Sequence, residues 1–137
     1  MIEQYLWIAG SLPFIVLGSI HLAYTFFTNK FSCRDSEVEG AMKKAHPVIT
    51  RRITMWKAWI GFNASHSSGI IYIGLINFLL ALLNFDIVRS GWFLALNMAT
   101  TLFYLWVGKT YWFGVPFKGI VISTCFFAAA TVIIILK

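Results

Sequence analysis

The sequence predicts an all-α integral membrane protein whose fold is a bundle of four transmembrane helices. Of its 137 residues, 59% are hydrophobic and 12% are charged. That is half the charged share of an average soluble domain, roughly 25%. The charges are also clustered, and they leave four apolar stretches of about 20 residues, the length that a helix needs to cross a bilayer. Because only a helix satisfies its own backbone hydrogen bonds in lipid, we expect each stretch to be helical.

The four spans are expected to form a single membrane domain over residues 1–137. They are predicted at about 5–28, 56–84, 88–108 and 116–136, with a loop at 29–55. Pro13 lies inside the first span, where neighbouring helices make a proline tolerable. Pro116 suits the first turn of the last helix, because the N–H that proline lacks would be unpaired there.

A short amphipathic helix is predicted within the 29–55 loop. Ser36 is followed three residues later by Glu39, a capping-box pattern, and apolar residues then recur at helical spacing. Lys43 and Lys44 would occupy the last turn, where cations interact favourably with the helix dipole. We expect this helix to lie on the cytoplasmic membrane surface. A solvated loop is the alternative, because short helices are marginally stable in water.

The basic residues predict the orientation of the chain in the membrane. Only Arg89 and Lys137 fall on one side, whereas the other side carries Lys30, Arg34, Lys43, Lys44, Arg51, Arg52, Lys57, Lys109 and Lys118. The positive-inside rule therefore predicts a cytoplasmic 29–55 loop and both termini outside. Anionic lipid headgroups are the expected partner of this basic loop. Nucleic acid is not expected to bind.

A polar run, "FNASHSSG", interrupts the second span. Asn63, His66 and Ser67 fall near one face of the predicted helix. His21 of the first span and His66 lie about 10 and 13 Å below the same membrane boundary at 1.5 Å per residue. The two histidines are therefore expected to share one depth. Together with Asn63 and Ser67 they are the candidate ligand or cofactor residues.

A second stripe on the same helix contains small residues at four-residue spacing, namely Gly61, Ser65 and Gly69. Such stripes allow helix backbones to approach closely in lipid, so these residues are predicted to pack against another helix. An exposed stripe of this kind also favours a homo-oligomer or a place in a larger membrane complex.

Two asparagines are predicted to join the second and third spans. Asn77 and Asn97 each lie ten residues from Ile87, which is near the turn between these spans. We expect their side chains to meet at one depth and to form an interhelical hydrogen bond of about 1 kcal/mol.

The sequence leaves three interpretations of His21 and His66 open. Each imidazole can be neutral and hydrogen-bonded within the bundle, as structural polar residues are. The pair can instead ligate a metal ion or the iron of haem b. In the third interpretation His66 is a general base, with Asn63 and Ser67 as donors. A serine–histidine–acid triad is not expected, because every acidic residue is predicted near or outside the membrane surface.

The segments "HLAYTFFTNKF" and "MWKAWIGFNASHSSG" resemble a group of small four-span bacterial membrane proteins. The shared pattern is HL-x-x-TF followed by MW-K-x-W-x-GFN-x-SH, and it covers the first two helices. This resemblance implies a bacterial inner membrane and four spans, and it carries no assigned activity.

In topology the chain is also similar to the MAPEG group, the membrane-associated proteins of eicosanoid and glutathione metabolism. The likeness implies a cytoplasmic first loop and a trimer. The second helix of those proteins binds glutathione through basic, asparagine and glutamate residues. Here Arg51, Arg52 and Asn63 match the first two types, whereas His66 stands near the glutamate position.

Together these features favour an oligomeric or accessory subunit of a membrane complex. It would bind a small apolar ligand or lipid in a polar seam near the cytoplasmic side. A binding role is favoured over catalysis. The alternatives are a haem or metal protein that uses His21 and His66, and a MAPEG-like enzyme acting on a lipid or on glutathione.

Overall fold

All regular structure in this protein is helical. The computed structural model describes residues 1–137, and they contain no strand. Six helices follow one another: α1 (Ile2–Phe27), α2 (Ser36–Lys44), α3 (Met55–Leu83), α4 (Phe85–Arg89), α5 (Gly91–Tyr111) and α6 (Gly114–Ile135). Four of them, α1, α3, α5 and α6, are long and apolar enough to cross a membrane. The predicted all-α membrane fold with four spanning helices is confirmed.

The predicted spans match these helices to within about three residues at each end, the usual margin for helix boundaries. Pro13 lies inside α1, and Pro116 lies in the first turn of α6, as expected. The connection between the second and third spans differs from the prediction. Instead of a simple turn it contains α4, a helix of five residues.

The predicted helix of the 29–55 loop is present as α2, but its capping differs. The N-cap is Asp35, whose side chain accepts hydrogen bonds from the backbone N–H groups of Glu37 and Val38. Ser36 is therefore the first helical residue and not the cap. Glu39 does not bond the backbone N–H of the N-cap residue; its Oε2 atom accepts from the backbone N–H of Cys33 at 3.2 Å. Its Oε1 atom accepts a hydrogen bond from Lys43, one helical turn further on, at 2.6 Å. This contact lowers the pKa of the Glu39 carboxyl.

The chain groups into two compact units. The first unit comprises residues 1–18 and 70–137, and the second comprises residues 19–69. Parts of all four long helices therefore contribute to the first unit. The second unit contains the end of α1, the loop with α2, and the beginning of α3.

Aromatic side chains fill the core of the first unit. Trp7, Phe14 and Phe127 are almost completely buried. The ring centroids of Trp7 and Phe127 lie 4.8 Å apart, and those of Trp7 and Phe93 lie 6.2 Å apart. Tilted aromatic pairs at these distances contribute beyond the area that they bury. The core of this unit is thus centred on one tryptophan.

Helices α1 and α3 approach each other closely where α3 has a glycine. A Cβ atom placed on Gly74 would lie 2.9 Å from the backbone nitrogen of Ile15 and 2.9 Å from Cβ of Phe14. Any side chain at Gly74 would therefore collide with the backbone of α1. Gly18 of α1 faces the backbone of Ile71 in the same way.

The predicted hydrogen bond between Asn77 and Asn97 is wrong. Both side chains are buried in the first unit, but the Oδ1 atom of Asn77 accepts from the indole N–H of Trp7 at 2.9 Å. The Nδ2 group of Asn77 donates to the carbonyl of Ile73 in its own helix. The Nδ2 group of Asn97 has no hydrogen-bond partner. Equal distance from a turn predicts equal depth, but it does not predict which faces of the helices meet.

An ionic cluster lies in the first unit around Glu3, whose side chain is completely buried. Its carboxylate contacts Lys137 at 2.8 Å, Arg89 at 3.2 Å and the amino group of Met1 at 2.9 Å. The partner cations are about half exposed or more, so the carboxylate is buried beneath them. The cluster ties α1 to α4 and to the residue at position 137.

The connection between α2 and α3 in the second unit is a closed loop with an apolar tip. Its base is held by a hydrogen bond from the Met55 N–H to the Ala45 carbonyl at 2.9 Å. Beside it, Nδ1 of His46 donates to the Ile53 carbonyl at 2.8 Å. Val48 and Ile49 project from the tip and are almost fully exposed.

The small-residue stripe of α3 contacts no other helix of this chain. Cβ atoms placed on Gly61 and Gly69 would meet no atom within 4 Å, and Ser65 between them is exposed. The packing role predicted for these residues would therefore require a second molecule, and it stays a prediction.

Candidate ligand site at a histidine pair

The second unit brings His21 and the polar run of α3 together. His21 lies near the C-terminal end of α1, and Asn63 and His66 lie on one face of α3. Asn63 is buried, whereas both histidine rings are half-buried. The sequence predicted only that the two histidines share one depth; in the structure their rings also lie side by side. Their ring centroids are 5.5 Å apart, in an edge-to-face arrangement.

The amide of Asn63 determines which ring nitrogen of His21 carries a hydrogen. Its Nδ2 group donates to the carbonyl of Trp59, one turn earlier in α3, at 2.9 Å. The Oδ1 atom therefore points at Nε2 of His21, 3.0 Å away. An amide oxygen only accepts hydrogen bonds, so Nε2 of His21 must carry the hydrogen. In the neutral ring, Nδ1 then has the free lone pair.

An aromatic side chain covers the His21 ring. Phe31 lies with its centroid 4.4 Å from that of His21, at an angle of 35°. The carbonyl of Phe31 accepts a hydrogen bond from the indole N–H of Trp59 at 3.1 Å. Trp59 thus supports both neighbours of His21: its indole N–H bonds the carbonyl of Phe31, and its own carbonyl orients Asn63. This arrangement holds His21 between an amide and an aromatic ring.

The serines of the polar run are hydrogen-bonded within their own helix. Ser67 is buried, and its hydroxyl donates to the carbonyl of Asn63 at 2.6 Å. Ser65 and Ser68 donate to carbonyls three residues earlier. Each of these hydroxyls therefore donates its hydrogen to the backbone of α3. Ser67, predicted as a ligand donor, therefore supports the backbone beside Asn63.

The chemistry available at this site is that of two imidazoles and an amide. No group of three or more histidine, cysteine or acidic residues is placed to hold a metal ion. No hydrogen bond or ion pair joins a carboxylate to the side chain of His21 or Asn63. The site offers the Nδ1 acceptor of His21, beside the second ring of His66.

Two participants in this site were not predicted as site residues, although Trp59 is a fixed position of the pattern MW-K-x-W-x-GFN-x-SH. Phe31 and Trp59 lie outside the polar run, and aromatic residues are frequent throughout the chain. A signal was available for Trp59, because it precedes Asn63 by four residues. That spacing places its carbonyl within reach of a side chain one turn later. Nothing in the local sequence distinguishes Phe31.

Comparison with protein families, curated proteins and solved structures finds no match to this chain.

Proposed function

We propose that this protein is an accessory or oligomeric subunit of a bacterial inner-membrane complex that binds a small ligand between His21 and His66. The observation that carries the proposal is the hydrogen bond from Nε2 of His21 to Asn63, since it leaves Nδ1 as an oriented acceptor. Polar and ionisable side chains within membrane spans are costly, and they mark functional sites by default. A ligand with an apolar body and one hydroxyl or amine donor suits this position.

The orientation belongs to the same proposal. Most of the lysines and arginines lie in two regions: the loop between α1 and α3, and the helix ends on either side of the short connection between α5 and α6. By the positive-inside rule both would face the cytoplasm, with the termini outside. The exposed apolar residues Val48 and Ile49, followed by Arg51 and Arg52, support contact of this loop with anionic headgroups. The ligand site would then lie near the cytoplasmic surface.

A single metal ion is the second candidate for the ligand. With metal–nitrogen bonds of about 2.0–2.1 Å, two imidazoles on one ion have centroids about 5–6 Å apart. The 5.5 Å between His21 and His66 lies within this range. Metal-bound histidines commonly donate their other N–H to an oxygen, as His21 does to Asn63. The lack of a third ligand group favours the small-molecule proposal over this one.

Native mass spectrometry of the protein released from mild detergent tests both candidates. We expect the wild-type chain to retain a bound small molecule, and His66→Ala to lose it. Asn63→Leu would weaken binding, because His21 then loses its orienting acceptor. Ser65→Ala is the matched control: its hydroxyl bonds only its own helix, so the adduct should remain. An ion of metal mass retained by the wild type would select the second candidate.

Two results would contradict the ligand site. A wild-type chain that carries no adduct in mild detergent, and takes up none on addition of total membrane lipid extract, would exclude it. So would an adduct retained equally by His66→Ala and by Asn63→Leu. The subunit role is tested separately, by whether another protein co-purifies in stoichiometric amount.

A further inference from the structure

A groove of about 470 Å³ runs between α1 and α6 in the first unit. Its α1 side includes Leu12, Val16 and Leu17, and its α6 side includes Lys118 and Ile122. The apolar lining is only partly covered by protein, since Leu12, Val16 and Ile122 are each about half exposed. The volume lies within the range of about 300–1,000 Å³ that is typical of ligand sites.

Gly119 of α6 packs against Leu17 of α1 within the lining of the groove. Gly119 is buried, and a Cβ atom placed on it would overlap Cδ1 of Leu17. The α6 residues that line the groove recur at positions 115, 118, 119 and 122, which is one face of the helix. That face continues for about 10 Å along the axis. The result is an open apolar groove between the two helices.

One charged residue is among those that line this groove. Lys118 is the fifth residue of α6, about 6 Å from the start of the helix. It makes no ion pair in the structure. A lysine so close to a helix end lays its aliphatic part along apolar surface and extends its ammonium group to the headgroup region. The groove therefore combines an apolar wall with one lysine near the start of α6.

We propose that this groove binds one acyl chain of an anionic phospholipid, whose phosphate contacts Lys118. Basic pockets between transmembrane helices are known to hold anionic headgroups. A second copy of this chain is a poorer occupant. A two-fold symmetric contact through this groove would bring two Lys118 ammonium groups to one interface. A phospholipid places opposite charge at the cation and hydrocarbon along the wall.

Lipid titration followed by native mass spectrometry tests this proposal on the full chain in detergent. The probes are phosphatidylglycerol and phosphatidylcholine with identical acyl chains. We expect the first lipid to bind to the wild type about fivefold more tightly, as one basic residue would produce. Lys118→Gln should abolish this preference but leave phosphatidylcholine binding intact. Ile122→Trp should fill the groove and weaken both lipids.

Lys109→Gln is the matched control, because Lys109 lies in the last turn of α5, next to the short connection to α6, but does not line the groove. It should bind both lipids as the wild type does. A preference for phosphatidylglycerol that survives in Lys118→Gln would overturn the proposal. Equal loss of the preference in Lys109→Gln would also overturn it, since it would indicate a diffuse surface charge. A wild-type dimer that Ile122→Trp dissociates would identify a second copy as the occupant.

Discussion

Replacing Gly74 by alanine should separate α1 from α3 in the first unit. The added Cβ would lie 2.7 Å from Cγ1 of Ile15, 2.9 Å from its backbone nitrogen and 2.9 Å from Cβ of Phe14. Ordinary van der Waals contacts begin at 3.4 Å. Because two of these atoms belong to the backbone and Cβ of α1, rotation of a side chain cannot relieve the overlap. The helices must therefore move apart.

The magnitude follows from two opposing contributions. Overpacking of a closely packed contact costs about 1–3 kcal/mol. Alanine in place of glycine favours the helix by up to about 1 kcal/mol. We expect Gly74→Ala to lower the free energy of unfolding by about 1–2 kcal/mol, and Gly74→Val to lower it further.

Gly61→Ala is the matched control for this effect. Gly61 lies on the same helix, but a Cβ there would meet no atom within 4 Å. Only the helix-propensity contribution applies, so this variant should be as stable as the wild type or more stable, by up to about 1 kcal/mol. Gly74→Ala should therefore lower the free energy of unfolding, whereas Gly61→Ala should leave it unchanged or raise it.

Unfolding in mixed micelles with an increasing fraction of denaturing detergent measures both variants, with far-ultraviolet circular dichroism as the signal. Purified Gly74→Ala should remain helical but unfold at a lower detergent fraction. A Gly74→Ala protein as stable as the wild type would contradict the close contact between α1 and α3 at Gly74. A Gly61→Ala protein that is strongly destabilised would indicate that another molecule covers this face.

Three further predictions concern polar and charged side chains. Asn77→Leu should cost about 1–3 kcal/mol in the same unfolding assay, because it leaves a buried indole N–H without its acceptor. Asn97→Leu should be neutral or stabilising, because its Nδ2 group has no partner to lose; equal losses in both variants would refute this difference. Glu3→Gln should lower stability, because it removes the negative charge that three cations surround; unchanged unfolding would contradict a structural role for the cluster. The bond from Lys43 lowers the pKa of Glu39, so it stabilises α2 fully at a pH above the ordinary carboxyl pKa. This stabilisation is lost as the pH falls through the lowered pKa of Glu39. Amide chemical shifts of α2 should follow that titration, and Lys43→Met should shift its midpoint upward.

Much of the candidate site could be predicted because its residues are unusual for their surroundings. A histidine or asparagine in an apolar span is visible in the sequence, and helical rise places His21 and His66 at similar depth. The role of Ser67 could not be predicted in the same way. A serine hydroxyl bonds equally well to its own helix or across an interface, and only the packed structure shows that it donates to Asn63.

The packing partners of the small residues in α3 could not be predicted from the sequence either. Gly61, Ser65 and Gly69 have the spacing of a packing stripe, but no helix of this chain contacts them. Gly74, a single glycine later on the same helix, is the position of close approach. Spacing identifies a face that is able to pack. It does not identify the face that another helix covers.

By itself the sequence determined the number, length and order of the membrane helices, because burial in lipid depends on local composition and on a fixed rise per residue. The interacting side chains are seen only in the tertiary structure. There Trp7, and not Asn97, donates a hydrogen bond to Asn77, and Asn63 accepts the hydrogen on Nε2 of His21. Helices that are apolar on every side have no polar face to set their rotation about the axis. That rotation, and with it each pair of interacting side chains, is determined by contacts between residues far apart in the chain.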